Sequence, residues 1–448
     1  MSNIFFGLYT ASILLYNLCE IKYLFYLTFF YVFLTRIKKY NRTHNDYYLI
    51  ELIIYSVIIP SNYIILISLV TILVFKLRKL KKVTKKTNDL FIILFIAYLI
   101  LNTIYNKVSP INLLFYILYV IPVPICALAF NKFELGVLER NKLIELLKKA
   151  LIIQGIGIVS ELIFHLETIL SMIDFDWVTG TFGKYQGNIF FFFSAFCFII
   201  FLNQYMCCRR ELKYLILSGI YMIMTGSIAL IILFATSIVI YFFVTSNIRT
   251  SIRMKIIALL SAAICFFVLV TPAWIKNYIV EMATADDKSI YISKISDYEN
   301  VFFNKDNSVE FELLGRGIGE YSSRAALTCT GIYLDAYNSL FEPSMSEYTR
   351  KYIYGKLLYV YEHELGIVDT PFSEYISIKG ELGFVGLMFF ILYGVSLLKR
   401  NKGWPRIFTI FILMACFTEN YMEFAKIVSI LYIIVNEQIC DRSFQIKV

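Results

Sequence analysis

The chain has 448 residues, a mean hydropathy of +0.68, 59% hydrophobic and only 17% charged side chains, and a formal net charge of +9. That balance excludes an ordinary soluble domain, which carries about 25% charged residues. Apolar runs of membrane-spanning length recur without a period of two, so the expected fold class is an all-α polytopic integral membrane protein, not a porin-like barrel.

Residues 4–19 lead straight into a second apolar stretch with no basic leader, and read as a span rather than a cleaved signal. Residues 4–19 and 23–35 make a first hairpin. The run 48–75 splits at Pro60-Ser61-Asn62, a turn signal, and 90–106 turns into 111–130 around residues 106–110. Spans 151–170 and 188–203 flank a short loop, and the run 214–245 is too long for one span and reads as two. Span 256–272 leads out to a large loop, 376–397 returns, and 407–435 makes a tight hairpin near Glu419-Asn420. The expected total is about 12–14 spans, because several halves fall short of the ~20 residues a perpendicular helix needs.

Basic residues cluster at 36–42, 76–86, 132–149, 209–213, 249–255 and 399–406, which together hold 26 of the 42 Lys+Arg. The positive-inside rule puts these clusters and both termini in the cytoplasm. Their position against apolar runs favours topology over nucleic-acid binding. By the same reading Trp177 and Trp274 sit at the outer interface and Trp404 at the inner one. Three regions follow: spans in 1–272, a large, partly helical extracytoplasmic loop at 273–375, and spans in 376–448. That loop holds 16 Asp+Glu against 9 Lys+Arg. Its one cysteine, Cys329, cannot form a disulfide within it, and no Cys/His cluster has metal-ligand spacing, so no metal or other cofactor is expected.

Within the loop, Gly315-Arg316-Gly317-Ile318-Gly319 sets three glycines around an arginine, with Arg324 eight residues on. Glycines let backbone N–H groups approach a ligand, and arginine binds phosphate bidentately. A plain glycine-rich turn fits the same letters. Glu362, His363, Glu364 and Asp369 offer a general base outside the membrane, or simply a solvated histidine. The chain re-enters through Pro371-Phe372-Ser373-Glu374-Tyr375 and Gly380-Glu381-Leu382-Gly383-Phe384-Val385-Gly386, where Glu381 is a carboxylate near the boundary and Lys379 its expected neutralising partner. Inside the spans, Glu161 and His165 share a helix face, with Glu167 close by; the region of Glu419, Glu423 and Lys426 likewise reads as either a functional site or a polar lock.

The order of four motifs resembles the O-antigen polymerase and O-antigen ligase superfamily over roughly residues 150–435. They are Gly180-Thr181-Phe182-Gly183 with Asn188; Thr225-Gly226-Ser227; the Gly315, Gly317, Gly319 run; and Tyr375, Glu381, Gly383 and Gly386 at re-entry. Ile228 replaces the arginine often found after the second motif, and Phe372-Ser373 replaces the His-Asn pair typical of ligases. The second departure favours a polymerase. The resemblance implies a bacterial inner-membrane glycosyltransferase, metal-independent, moving glycan from polyprenyl diphosphate to a lipid-linked repeat unit, with the large loop outside. Implied partners are the polyprenyl-diphosphate-linked oligosaccharide, membrane lipid, a chain-length regulator and a flippase. Alternative readings are an O-antigen ligase and a lipid-linked oligosaccharide flippase; a flippase of this kind usually shows internal repeats, and none is visible. Candidate catalytic residues are Arg316, Arg324, His363, Glu381 and Asp369; Arg350, Gly315, Gly317, Gly319 and Tyr375 are candidates for substrate binding.

Overall fold

The computed structural model describes residues 9–13, 16, 23–78, 87–130, 133, 135–172, 178–183, 186–244, 293–304, 307–331, 341–355, 357–358, 373–401 and 403–435, with helix as their only regular structure. After a helical stretch at residues 9–13 come α1 (Tyr23–Thr43), α2 (Tyr47–Ile58), α3 (Asn62–Arg78), α4 (Thr87–Tyr105), α5 (Pro110–Val120), α6 (Pro122–Phe130), α7 (Val137–Met172), α8 (Gly187–Cys208), α9 (Leu212–Met224) and α10 (Ile228–Val244). Three short helices follow in the acidic region, α11 (Ser293–Phe302), α12 (Val309–Leu314) and α13 (Arg324–Cys329), with a π-helical turn at Thr349–Tyr354. The chain then forms α14 (Glu374–Arg400), α15 (Pro405–Ala415), a 3-10 turn at Tyr421–Glu423 and α16 (Ala425–Val435).

Among the described residues three helical stretches are long and apolar enough to cross a membrane: Pro110–Phe130, Gly187–Cys208 and Glu374–Arg400. Many other apolar helices are only half that reach. The 11 residues of α15 or α16 span roughly 17 Å, against a hydrocarbon core of about 30 Å. Their boundaries fall at local signals: Pro60-Ser61 separates α2 from α3, Pro110 begins α5, Thr225-Gly226-Ser227 divides α9 from α10, and residues 416–424 divide α15 from α16. Proline at a first helical position sacrifices no intrahelical bond, which is why Pro110 and Pro405 start helices instead of breaking them.

α14 departs from the single returning span expected over 376–397. Gly383 adopts φ 63°, ψ −164° inside it, so the element is two helices, 374–382 and 384–400, joined at a sharp bend. The bend brings Tyr375 against Phe390, with ring centroids 5.4 Å apart.

The buried core gathers α1–α3, α6–α10, α15 and α16 around the Phe-rich face of α8, where Phe190, Phe191, Phe192 and Phe193 are buried. Outward faces of α1, α4 and the 384–400 half of α14 carry exposed Leu27, Phe30, Leu101, Ile104, Phe384, Met388 and Ile391, as a lipid-facing surface would. Trp404 is buried beside Tyr241 and Phe242 of α10. Two basic residues expected to mark topology are ion-paired: Lys76 is buried 2.6 Å from Asp46, and Arg36 lies 2.9 Å from Glu51. Trp177 and Trp274 lie outside the described residues.

Candidate functional site

α12 starts at Ser308, whose Oγ accepts the Phe311 N–H at 3.2 Å, and ends at Gly315. Gly315 and Gly383 both take left-handed φ values and face each other across the α12–α14 contact. A Cβ on either would overlap backbone: Gly315 against Glu381 and Gly383, and Gly383 against Leu313 and Leu314. Only glycine permits this approach. The contact is sealed by Arg316 N–H to Gly380 O (2.9 Å) and Gly317 N–H to Glu381 O (3.0 Å).

The Glu381 carboxylate, 1% exposed, then gathers the loop that follows. It accepts the N–H groups of Gly319 (2.8 Å), Tyr321 (3.2 Å) and Ser323 (2.9 Å). Carbonyls freed by the two breaks are also capped from α4 and α5: Leu314 O by Asn102 Nδ2 (2.6 Å), Leu382 O by the Tyr98 hydroxyl, and Gly319 O by Asn112 Nδ2 (2.8 Å). This accounting corrects two expectations. The N–H groups of Gly315, Gly317 and Gly319 are bonded within the protein, so the glycines supply close packing in place of ligand-facing amides. Lys379 does not pair with Glu381; it binds Glu312 Oε2 at 2.7 Å. Glu381 is a pin that holds three amides.

Arg316 projects from this pinned loop. Its guanidinium lies 3.7 Å from the Tyr348 ring centroid and 5.2 Å from that of Phe311, and these two rings stack on each other 5.3 Å apart. No carboxylate pairs with it among the described residues, and its Nε is buried without a hydrogen-bond partner. An aromatic platform fixes the plane of the guanidinium and leaves its N–H edge to a ligand.

Arg324 sits differently. It opens α13, where Ser323 Oγ caps the helix by accepting Ala326 N–H at 3.2 Å. Its amide donates to Glu423 Oε2 (2.7 Å), its guanidinium covers the Phe424 ring at 3.5 Å, and its Nη2 lies 3.7 Å from Glu419 Oε1. Around it, Asn420 donates to Ser322 O at 3.1 Å, and Glu374 accepts Met422 N–H at 3.2 Å. Arg324 therefore joins the loop to the α15–α16 turn, with its charge set against buried carboxylates.

The first two motifs also meet. Ser227 Oγ donates to Asn188 Oδ1 at 2.9 Å, tying the α9–α10 break to the start of α8. The Thr179–Gly180 turn is pinned by Glu161, which accepts Thr179 N–H (3.1 Å), Gly180 N–H (2.9 Å) and the Thr179 hydroxyl (2.9 Å). Gln154 holds Thr181 through both its amide groups, at 2.9 and 2.7 Å. Thus Glu161 serves the loop following its own helix; the side chains of His165 and Glu167 lie outside the described residues. Lys426 is buried and donates to Ile59 O (2.7 Å) and Gln186 Oε1 (3.4 Å), which links the α2–α3 break to the α15–α16 turn.

Of the remaining candidates, Arg350 is exposed on the π-helical turn, two residues beyond Tyr348. Tyr375 stacks on Phe417 with centroids 4.0 Å apart and donates to Leu413 O at 3.1 Å, so it braces α15. His363 and Asp369 lie outside the described residues. Phe311 and Tyr348, the platform under Arg316, were not singled out in the sequence: 32 residues separate Arg316 from Tyr348, and no local period links them. Asn420 was seen only as a turn residue, although it binds both Ser322 and Ser377. Among the described residues no group of His, Cys, Asp and Glu could hold a metal ion. No protein-family model matches this chain, and no curated protein is similar to it.

Proposed function

We propose that the chain is a polytopic membrane glycosyltransferase of bacterial surface polysaccharide, a polymerase whose donor glycan is carried on polyprenyl diphosphate. In this reading both termini are cytoplasmic, about 12–14 helical segments enter the inner membrane, and the acidic region 273–375 faces the outside. The observation that carries the proposal is Arg316: a partly buried cation with no carboxylate partner among the described residues, held flat on Tyr348 and Phe311, on a loop pinned at the bend of α14. Such a group suits a diphosphate, because it is ordered in advance and adds positive charge where negative charge develops on the leaving group. The acidic surroundings make this local placement necessary, since the region as a whole repels an anion.

In the transfer, an acceptor hydroxyl of the incoming lipid-linked repeat attacks the anomeric carbon of the donor glycan. The bond from that carbon to the diphosphate oxygen breaks, and lipid diphosphate departs with the electron pair beside Arg316. The hydroxyl proton passes to a base. Glu381 is committed to three amides, so His363 and Asp369 are the proton acceptors to test. Arg324 positions the loop against the α15–α16 turn. The test is the surface glycan of cells carrying Arg316→Ala at normal protein level. Single repeats without long chains are expected; a normal ladder of chain lengths would sink the assignment. A deletion strain that accumulates finished lipid-linked polymer would identify a ligase instead.

A further inference from the structure

A cavity of about 470 Å³ lies away from Arg316, between α10, α14 and α15. Its walls are Ile240 of α10, Val395 and Leu398 of α14, and Ile410, Leu413 and Met414 of α15. One end is closed by the stacked rings of Tyr375 and Phe417; the other is edged by the aliphatic stems of Lys399 and Arg406, and among the described residues no acidic side chain lines it. Arg406 donates through Nε to Asn401 O at 3.0 Å, which fixes the guanidinium beside the α14–α15 connection, while Lys399 is exposed. Val395 is 40% exposed, so the cavity opens on the lipid-facing side of α14.

We propose that this groove holds one acyl chain of an anionic glycerophospholipid, with the head-group phosphate at Lys399 and Arg406 and the chain running toward Tyr375 and Phe417. The volume lies in the range of about 300–1,000 Å³ typical of small-molecule sites. Basic pockets between membrane helices at the cytoplasmic side select anionic head groups, and the charge asymmetry assigns the 399–406 end to that side. A partner helix fits less well. Close helix packing needs small residues, whereas the wall offers Ile, Leu, Met and Val, and the nearby Gly394 is already covered by Leu413. The inference rests on the orientation used in the glycosyltransferase reading, but it concerns a different lipid and does not involve Arg316, so the lipid titration can fail while the glycan result stands.

The experiment is native mass spectrometry of the detergent-purified full chain, titrated with phosphatidylglycerol or with phosphatidylcholine of identical acyl chains. Wild type is expected to retain one phosphatidylglycerol with a preference on the order of tenfold, and to lose that preference as ionic strength rises. Combining Lys399→Ala with Arg406→Ala should bring the two lipids to equal binding, while Lys38→Ala with Lys142→Ala, which removes two exposed charges elsewhere, should leave the preference intact. Met414→Trp should fill the groove and displace the lipid although both bases remain. Equal binding of the two lipids by wild type would overturn the proposal, as would a preference that is insensitive to salt or survives loss of both bases. Undiminished phosphatidylglycerol in Met414→Trp would overturn the placement of the acyl chain.

Discussion

Two loops in this molecule are built the same way, and among the described residues only one carries a cation without a carboxylate partner. At residues 178–183 a turn is drawn onto α7 by Glu161 through two amides and a hydroxyl; at 315–323 a loop is drawn onto α14 by Glu381 through three amides. In each, a buried helix carboxylate collects backbone donors that irregular chain would otherwise leave unpaired, a severe penalty away from water. The 178–183 turn closes on packed protein, with Thr181 bonded to Gln154 and to Ile58 O. The 315–323 loop ends the same accounting with Arg316 on its aromatic platform. A glutamate amid glycines thus marks a pinned loop; function must be sought in what the loop holds out.

Removing the pins is the most severe test of this equivalence. Glu381→Ala orphans three buried amides and should lower stability by about 3–5 kcal/mol, and Glu161→Ala by a similar or slightly smaller amount. Thermal unfolding in detergent, followed through the exposure of buried cysteines such as Cys126 and Cys197, measures both. Glu381→Gln keeps one acceptor oxygen, so it should be milder, on the order of 1–2 kcal/mol, and should still support long-chain glycan. Loss of glycan from a well-folded Glu381→Gln protein would instead make Glu381 a proton carrier, and the parallel between the loops would fail.

Next in size is the glycine contact of the 315–323 loop, where two left-handed glycines meet backbone to backbone; the 178–183 turn has a looser counterpart in Gly180 against Gly157. Gly383→Ala places a methyl on the Leu313–Leu314 backbone at a left-handed φ and should cost about 3 kcal/mol. The same measurement reads it, and a change below about 0.5 kcal/mol would mean that the loop stands off α14 more than the structure shows.

Much of this architecture was legible in advance. The turns read at Pro60-Ser61-Asn62, at residues 106–110 and near Glu419-Asn420 each fall between helices, and the run 214–245 does divide in two, at Thr225-Gly226-Ser227. The bend at Gly383 was hidden, because a glycine in a long hydrophobic stretch reads equally well as helix packing. The partner of Lys379 was misassigned for a related reason: Glu312 is 67 residues away, and proximity in sequence favoured Glu381. The two arginines were also ranked together, since their spacing says nothing of the carboxylates at 419 and 423 that hold only Arg324.

That difference gives a prediction that separates fold from activity. Arg316→Ala should shift stability by no more than about 1 kcal/mol, the loss of an aromatic contact, while eliminating chain extension. Arg324→Ala should destabilise by about 2–4 kcal/mol, because it strips a cation from among buried carboxylates. Equal destabilisation by the two substitutions would show that Arg316 has a structural partner after all. Arg316→Lys keeps the charge without the planar fork, so it should recover folding fully and glycan only in part.

The smallest effect distinguishes the rims of the two loops by pH. Glu320 packs its carboxylate on the N–H of Ser109 (3.3 Å) at the start of α5, and burial raises its pKa above the ordinary Glu value, although the Ser109 amide and Asn112 oppose the shift. A raised pKa means that the folded protein holds this proton more tightly than the unfolded chain. Its contribution to stability is therefore complete below the ordinary Glu pKa and declines as pH rises through the folded-state value. Unfolding midpoints measured from pH 4 upward should fall more steeply for wild type than for Glu320→Gln, which has no proton to lose. Parallel curves would mean that Glu320 titrates like a solvated side chain. The hold of α5 on the 315–323 loop would then come from Asn112 at Gly319 O and not from Ser109.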